Sequence, residues 1–538
     1  MTSSKSEVWV IRLLVFLVLF GGVVSLQWYK GAFAAEFGGD PDEPAHFVTA
    51  LLAHDYVVAG APWPPMAYAE NYYRHYPKVA IGHWPPFFYM VQAGWMLGFG
   101  VSRISMMLLM ASLTALLGTV LFQVARQEFG VLTAAAVAIL LLTSKPVAIG
   151  SMQVMAEVLL TLLILLALLA FVRYLDHPAW QSAAWFGLWA GLALMTKGTG
   201  LVLATVPPIA MLLTGRWSLL RRFSLWLPAV LVILMAGPWY LLVPGAKHEK
   251  VYRYGDVNFL PSRFWGSMVS WTDSIGIVVV LAALLGFVVA VWMIRRREAN
   301  GLWITAVALL IGMLLCRQIV GAWEVRHLIA GIPMLMLMAA LGVESARQRL
   351  VAVPEWIKTG ALVTVVLLLA VWNVTRISNK VRHGLSETTE SLLADASLRD
   401  QAILVCSGAT GEGVFVSEVA MREKRPGRVV LRGSKMLAEA NWMGTRVRQL
   451  FDDPEKMLAA LEAIPVGAVV LDKAGLATPY GRMLLDGVNR HPEMWRQAAP
   501  AAGSDHGRDI RVFLRSADHA APGQPVQSQA PPVTRSAS

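Results

Sequence analysis

The sequence predicts an all-α polytopic membrane protein of about eleven transmembrane helices, followed by a small C-terminal α/β domain outside the membrane. Three observations predict it. Of 538 residues, 56% are hydrophobic and only 15% charged, where a soluble domain carries about 25% charge. The mean hydropathy is +0.55. Apolar runs of membrane-crossing length recur from the N-terminus to about residue 377, and the composition then turns polar. A single soluble globular domain, a disordered chain and a fibrous chain are thereby excluded.

The first apolar run covers about 9–29, with Lys5 and Arg12 on its N-terminal side. Ala32-Phe33-Ala34 resembles a signal-peptidase site, but the run is longer than a signal h-region, so it is expected to remain as an anchor. A polar stretch rich in Pro, Tyr and Trp follows over about 30–85, and the first loop outside the membrane covers about 30–103. Within it, residues 86–99 are apolar but too short to span, which suits an interfacial or half-buried helix. Further runs lie near 104–125, 131–149, 157–174, 181–195, 199–214, 225–244, 274–294, 301–320, 327–343 and 359–377.

Charge orients this map. The net charge is +11, which in a soluble chain would suggest nucleic acid; membrane orientation explains it here, and no nucleic-acid partner is expected. With the N-terminus in the cytoplasm, the cytoplasmic turns hold Arg126, Arg173, the Arg216/Arg221/Arg222 cluster, Arg295-Arg296-Arg297, and Arg347 with Arg349. Lys78, Lys145, Lys247 and Arg326 fall on the other side, so the bias is clear but not total. An odd number of spans then leaves the C-terminus outside.

Domain boundaries follow at 1–377 for the membrane domain, 378–515 for the outer domain, and 516–538 for a Pro/Ser/Gln-rich disordered tail. In the outer domain, 401–407 and 466–472 suit short buried strands. Segments 434–448 and 453–463 suit helices, the latter with Asp453-Pro454 as its start. Cys316 and Cys406 are the only cysteines, which argues against a disulfide framework.

The chemistry-bearing residues cluster on one side of the membrane. Asp42-Glu43 follows the first span, and Pro44 suits the first turn of a helix carrying Phe47, Leu51 and Leu52. A carboxylate there could act as a general base toward a hydroxyl or amine, or Asp42 could simply cap the helix. Arg74, Lys78 and His83 precede Trp84-Pro85-Pro86; such a group suits a phosphate or pyrophosphate, or anionic lipid headgroups in general. Glu157 opens the fourth span, where an ionisable group is costly and tends to be functional, unless it reaches back to water. Lys197, in LMTKGTG, could pair with a carboxylate or bind phosphate. Arg326 opens the tenth span, where snorkelling to headgroups is the alternative. His46, His54, His75 and His83 share the loop with no standard zinc spacing, so no dedicated metal site is expected.

These residues carry a family resemblance. DPDEPAHFVTALLA, HYPKVAIGHWPPFFYMVQAGWML, MAEVLLTLLILLALLAF, GLALMTKGTGLVL and RHLIAGIP, in that order over about residues 8–345, resemble motifs of the GT-C superfamily of membrane glycosyltransferases. The bacterial branch of protein O-mannosyltransferases and the lipid A aminoarabinose transferase is the most similar. The resemblance implies inverting transfer of a sugar from a polyprenyl-phosphate donor to an acceptor on the outer face of the cytoplasmic membrane. It implies catalytic roles for Asp42, Glu43 and Glu157, and donor-phosphate contacts by Lys78, His83, Lys197 and Arg326. The family's lysine usually stands directly before the two prolines; here Lys78 lies earlier and His83-Trp84 occupy that place, so the resemblance leaves the phosphate contact open between Lys78 and His83. No cofactor is required by this reading, although a divalent cation is compatible with it. The acceptor, whether glycolipid, protein or glycan, is not implied.

Three other readings compete, the last within the enzyme class. A transporter or flippase of a lipid-linked sugar would show repeats and a midplane site, and neither is evident. A non-catalytic scaffold would not need the acids and lysines described above. An outer-face polymer ligase would carry its large loop later in the chain.

Overall fold

The computed structural model describes residues 5–243, 261–319, 325–439, 447–499 and 510–516. The chain forms two compact units. The first contains Met1–Lys30, Gly82–Phe88 and Met107–Asn379; the second contains Gly31–Ile81, Tyr89–Met106 and Lys380–Ser538.

Among the described residues, eight helices are long and apolar enough to cross a membrane. They are Trp9–Tyr29, Arg103–Phe129, Glu157–Asp176, Phe223–Leu242, Ile277–Arg296, Gly301–Gln318, Arg326–Arg349 and Glu355–Arg376. Val131–Thr143 and Lys145–Ser151 make a ninth if counted as one span, bent by 65°. The bend falls at Ser144, which is extended, and Pro146 opens the second piece because proline suits a first turn but not a helix interior. The other two runs of the sequence map are shorter. Trp180–Leu194 has 15 residues. Residues 198–214 split into a 3-10 turn, Gly198–Thr205, and a nine-residue helix, Val206–Thr214. Gly198, Gly200 and the Pro207-Pro208 pair break what hydropathy alone reads as continuous.

Burial is uneven in the first unit. Glu157–Asp176 and the helix Ile332–Arg349 are largely enclosed. The first span, Phe223–Leu242 and the last span expose apolar side chains along most of their length, as a helix facing lipid can. Close helix contacts rest on glycine. A Cβ on Gly286 would lie 1.8 Å from the Met338 carbonyl oxygen, and one on Gly342 would lie 2.2 Å from that of Ala282. Helices 277–296 and 332–349 therefore pack backbone against backbone, as small residues permit in membranes. Lys145 Nζ and Arg376 Nη2 both hold Asp273, at 2.7 and 2.9 Å, tying the bent pair and the last span to the helix Pro261–Ile275.

The second unit contains seven described strands. In chain order they are β1 (Ala402–Cys406), β2 (Val430–Arg432), β3 (Ala438–Glu439), β4 (Arg448–Gln449), β5 (Val466–Leu471), β6 (Trp495–Gln497) and β7 (Arg511–Arg515). Five form one sheet in the order β2-β1-β5-β7-β6, and β3 and β4 form a separate antiparallel pair. β1 runs parallel to β2 and β5, and both β1 and β5 are buried along their whole length, as parallel strands covered on both faces are. Met457, Leu461, Tyr480 and Leu484 form one core with Leu404, Val469 and Phe513 of the sheet.

The strands expected at 401–407 and 466–472 are thus present, as is the helix over 453–463. It runs Pro454–Glu462, with Asp453 accepting from the Glu455 amide. The helix expected over 434–448 is not continuous: it stops at Met436, and β3 and β4 occupy part of the rest. Burial of Leu437 and Ala438 in the core under the sheet overrides the helix preference of that stretch. Residues 440–446 and 517–538 lie outside the described residues. Cys316 and Cys406 are both free.

Candidate functional site

Within the first unit, Glu157, Lys197 and Arg326 come together. Glu157 is 4% exposed and stands at the first position of its helix, where the helix dipole favours a carboxylate. Lys197 follows the break after Leu194, in an extended conformation, which turns its side chain out of the helical path. Its Nζ lies 2.6 Å from Glu157 Oε1, and Arg326 Nε lies 3.8 Å from the same oxygen. Gly200 makes this possible: a Cβ there would meet the Ala193 carbonyl at 2.8–2.9 Å. His327 lies in the field of Lys197, Glu157, Arg326 and Arg317, and Arg317 in that of Arg263. Cations outnumber carboxylates among these residues, so the group suits an anion. Arg263, whose guanidinium donates to the Gln318 carbonyl, and Arg317 were not singled out from sequence.

His83 packs edge-on against Trp84, with ring centroids 4.5 Å apart. Just beyond the two prolines, the Phe87 amide donates to the Met195 carbonyl at 3.0 Å, so the Trp-Pro-Pro segment is anchored two residues before Lys197.

Within the second unit, Asp42 and Lys78 belong to one electrostatic group. Asp42 occupies the N-cap position of helix Glu43–Val58 but makes no capping hydrogen bond with its side chain. Its own amide is instead held by Asp40 Oδ1 at 2.9 Å. Lys78 follows a tight turn in which its amide donates to the Tyr76 carbonyl at 2.7 Å. Burial pushes the Lys78 ammonium down to about 8, and Arg432 adds to the fall; Asp42, Glu412 and Asp40 oppose it. Glu412 is fully buried and accepts from Arg432 Nε at 2.9 Å and from the Ser434 amide at 2.7 Å. Neither Glu412 nor Arg432 was foreseen. The signal available was an acid flanked by Gly411 and Gly413, directly after a predicted strand.

Glu43 is placed differently from Asp42. Its carboxylate is buried against Lys380, Oε1 to Nζ 2.7 Å, and its other oxygen accepts from the Gly39 amide at 2.8 Å. Glu36 accepts from the His383 and Ser386 amides at 2.9 and 3.2 Å. The loop carrying Asp40 and Asp42 is thus fastened at both ends to residues 380–386.

The remaining loop histidines have separate partners. His46 Nδ1 lies 3.0 Å from the Tyr89 hydroxyl, His54 Nδ1 2.8 Å from Asp55, and His75 Nδ1 2.6 Å from the Gly427 carbonyl. Among the described residues no group of three or more His, Cys, Asp or Glu could hold a metal ion.

The family model described as dolichyl-phosphate-mannose-protein mannosyltransferase matches residues 83–241. No curated protein matches the chain by sequence. Solved structures share its fold. ArnT from Cupriavidus metallidurans bound to undecaprenyl phosphate is 16% identical, with a TM-score of 0.57 over 97% of this chain and 100% of that one. The archaeal oligosaccharyltransferase AglB from Archaeoglobus fulgidus, in complex with an inhibitory peptide and a dolichol-phosphate, is 12% identical, with a TM-score of 0.55 over 96% of this chain and 77% of that one. The family match over residues 83–241 and the fold shared with ArnT and AglB agree with the resemblance read from the motifs.

Proposed function

We propose that the protein is an inverting glycosyltransferase that moves a sugar from a polyprenyl-phosphate donor to an acceptor at the outer face of the cytoplasmic membrane. The observation that carries this reading is the grouping of Asp42 with Lys78, an acid and a cation in one loop, beside a family whose description names a dolichyl-phosphate sugar. Undecaprenyl phosphate in the ArnT structure and dolichol-phosphate in the AglB structure support a lipid-phosphate donor.

In this mechanism Asp42 accepts the proton of the acceptor hydroxyl or amine as that atom attacks the anomeric carbon. A new bond forms to the acceptor while the bond from the anomeric carbon to the phosphate oxygen breaks on the opposite face, so configuration inverts. The departing polyprenyl phosphate takes the electron pair. Lys78, His83, Lys197 and Arg326 compensate its growing charge. Glu157 aims Lys197, which it holds at 2.6 Å. Glu43, buried against Lys380, holds Asp42 in place instead of touching substrate. The N-terminus lies in the cytoplasm, and residues 31–81 and the C-terminal α/β segment lie outside, as the arginine-rich turns favour.

The test is transfer by purified protein from a series of polyprenyl-phosphate sugars, read by mass spectrometry of the acceptor pool. Asp42→Asn should abolish transfer with expression and melting unchanged. Wild-type turnover in that variant removes Asp42 from the mechanism.

A further inference from the structure

We propose that the Glu412–Arg432 pair of the C-terminal α/β segment is a positioning device for Lys78, which makes that segment a working part of the outer site. The proposal rests on the reading of Lys78 as a donor-phosphate contact.

The geometry begins with Gly413. A Cβ there would meet Pro44 Cγ at 2.7 Å and Lys78 Cε at 2.8 Å. Helix Ala409–Arg422 therefore approaches both the start of helix Glu43–Val58 and the lysine stem through a position that only glycine leaves open. One residue earlier, Glu412 turns its carboxylate inward, with no solvent exposure. A buried carboxylate is costly unless its oxygens are satisfied. Here three donors reach it: Arg432 Nε at 2.9 Å, the Ser434 amide at 2.7 Å and the Ser434 hydroxyl at 2.5 Å.

Their arrangement aims the guanidinium of Arg432. With its Nε held by Glu412, Arg432 donates through Nη1 to the Pro77 carbonyl at 3.2 Å. Pro77 immediately precedes Lys78. The strand-end arginine thereby fixes the peptide from which the lysine springs, and it places a second cation beside it. A sheet's strand ends and the loops after them are where α/β folds hold ligand-facing groups. Here that edge serves a residue about 330 positions away in sequence, read from the numbering of Lys78 and Glu412.

The charged groups facing Lys78 come from three elements. Asp40 and Asp42 belong to the loop, Glu412 to the helix and Arg432 to β2; Lys435 in turn faces Arg432 and Glu412. The three acids favour the ammonium, and Arg432 disfavours it. Removing one member of the pair or the other must therefore move the Lys78 titration in opposite directions, a result that general loosening of the fold does not produce.

The experiment is competitive labelling of amines in the purified full-length protein across a pH range of roughly 6–11, with Lys78 followed by peptide mass spectrometry. Arg432→Gln is expected to raise the Lys78 midpoint by roughly one pH unit, and Glu412→Gln to lower it by a similar amount. Arg432→Lys keeps the cation and should leave the midpoint near the wild-type value. Midpoints that stay put in both Gln variants, or move the same way, overturn the proposal. Should Glu412→Gln fail to fold, the contrast between Arg432→Gln and Arg432→Lys decides, and equal midpoints in those two also overturn it. Labelling needs no turnover, so it stands apart from the glycosyltransferase reading. Where transfer is measurable, Arg432→Gln should raise the KM for donor more than it lowers kcat; an unchanged donor KM would overturn the use of Lys78 for phosphate.

Discussion

Lys380 Nζ and Glu43 Oε1 meet at 2.7 Å with the two side chains 3% and 0% exposed. The pair joins the first residues after the last span to the residue next to Asp42. It shares the site with the Phe37 ring, whose centroid lies 5.5 Å from the ammonium, and with the Gly39 amide. A buried pair of this kind is weak evidence of net stabilisation, but removing one partner leaves a charge enclosed without compensation. Lys380→Met should therefore destabilise the second unit by about 3–5 kcal/mol. Hydrogen exchange over residues 36–43 measures this, and Lys380→Met combined with Glu43→Gln should recover part of the loss. Exchange in Lys380→Met equal to wild type would show that the pair holds nothing in place.

The contact between Lys197 and Glu157 leads to a second expectation. If Glu157 aims the lysine at donor phosphate, Lys197→Met should lower kcat/KM about a hundredfold, the scale seen when one preorganised donor is removed. Glu157→Gln should act in the same direction, and the double variant should cost little more than either single change. Strictly additive losses would place the two residues in separate roles.

Helix packing in the first unit gives a third. A Cβ at Gly286 or Gly342 would overlap backbone atoms of the facing helix. Gly286→Ala and Gly342→Val must push the helices apart, and the overpacking cost is about 1–3 kcal/mol or more. Melting in detergent should fall for both, whereas Gly21→Ala, at a position with open space around it, should leave it unchanged.

The fourth concerns pH. Burial alone would raise the Glu36 pKa, but the amides of His383 and Ser386, with the charge on His383, hold it below the usual carboxylate range. A lowered folded-state pKa contributes stability that is fully present above the unfolded value and lost as pH falls through the folded one. Protection of the His383 and Ser386 amides should accordingly hold at neutral pH and collapse only below the ordinary glutamate range. In Glu36→Gln that acid-dependent step should disappear.

Hydropathy and length located the long spans, since about 20 apolar residues are what a bilayer requires whatever surrounds them. The lengths of two elements were not legible that way: residues 180–194 form one unbroken helix of 15 residues, and 198–214 divide into a 3-10 turn and a nine-residue helix. The strands around Leu404 and Val469 were legible because parallel strands buried on both faces are continuously apolar. The break in the helix expected over 434–448 was not, because core burial of Leu437 outweighs local preference.

At the site, residue type and position picked out Glu157 as an ionisable group costly at its depth, and Asp42, Lys78 and Lys197 as groups suited to proton and phosphate chemistry. Which of them share a neighbourhood was decided only by the tertiary structure. Lys197 finds Glu157 across 40 residues, Glu43 finds Lys380 across 337, and Arg432 reaches the Pro77 carbonyl across 355. Sequence carries the chemical character of each side chain because that is local. It does not display these pairings, because a contact between distant residues depends on how every intervening helix and strand packs.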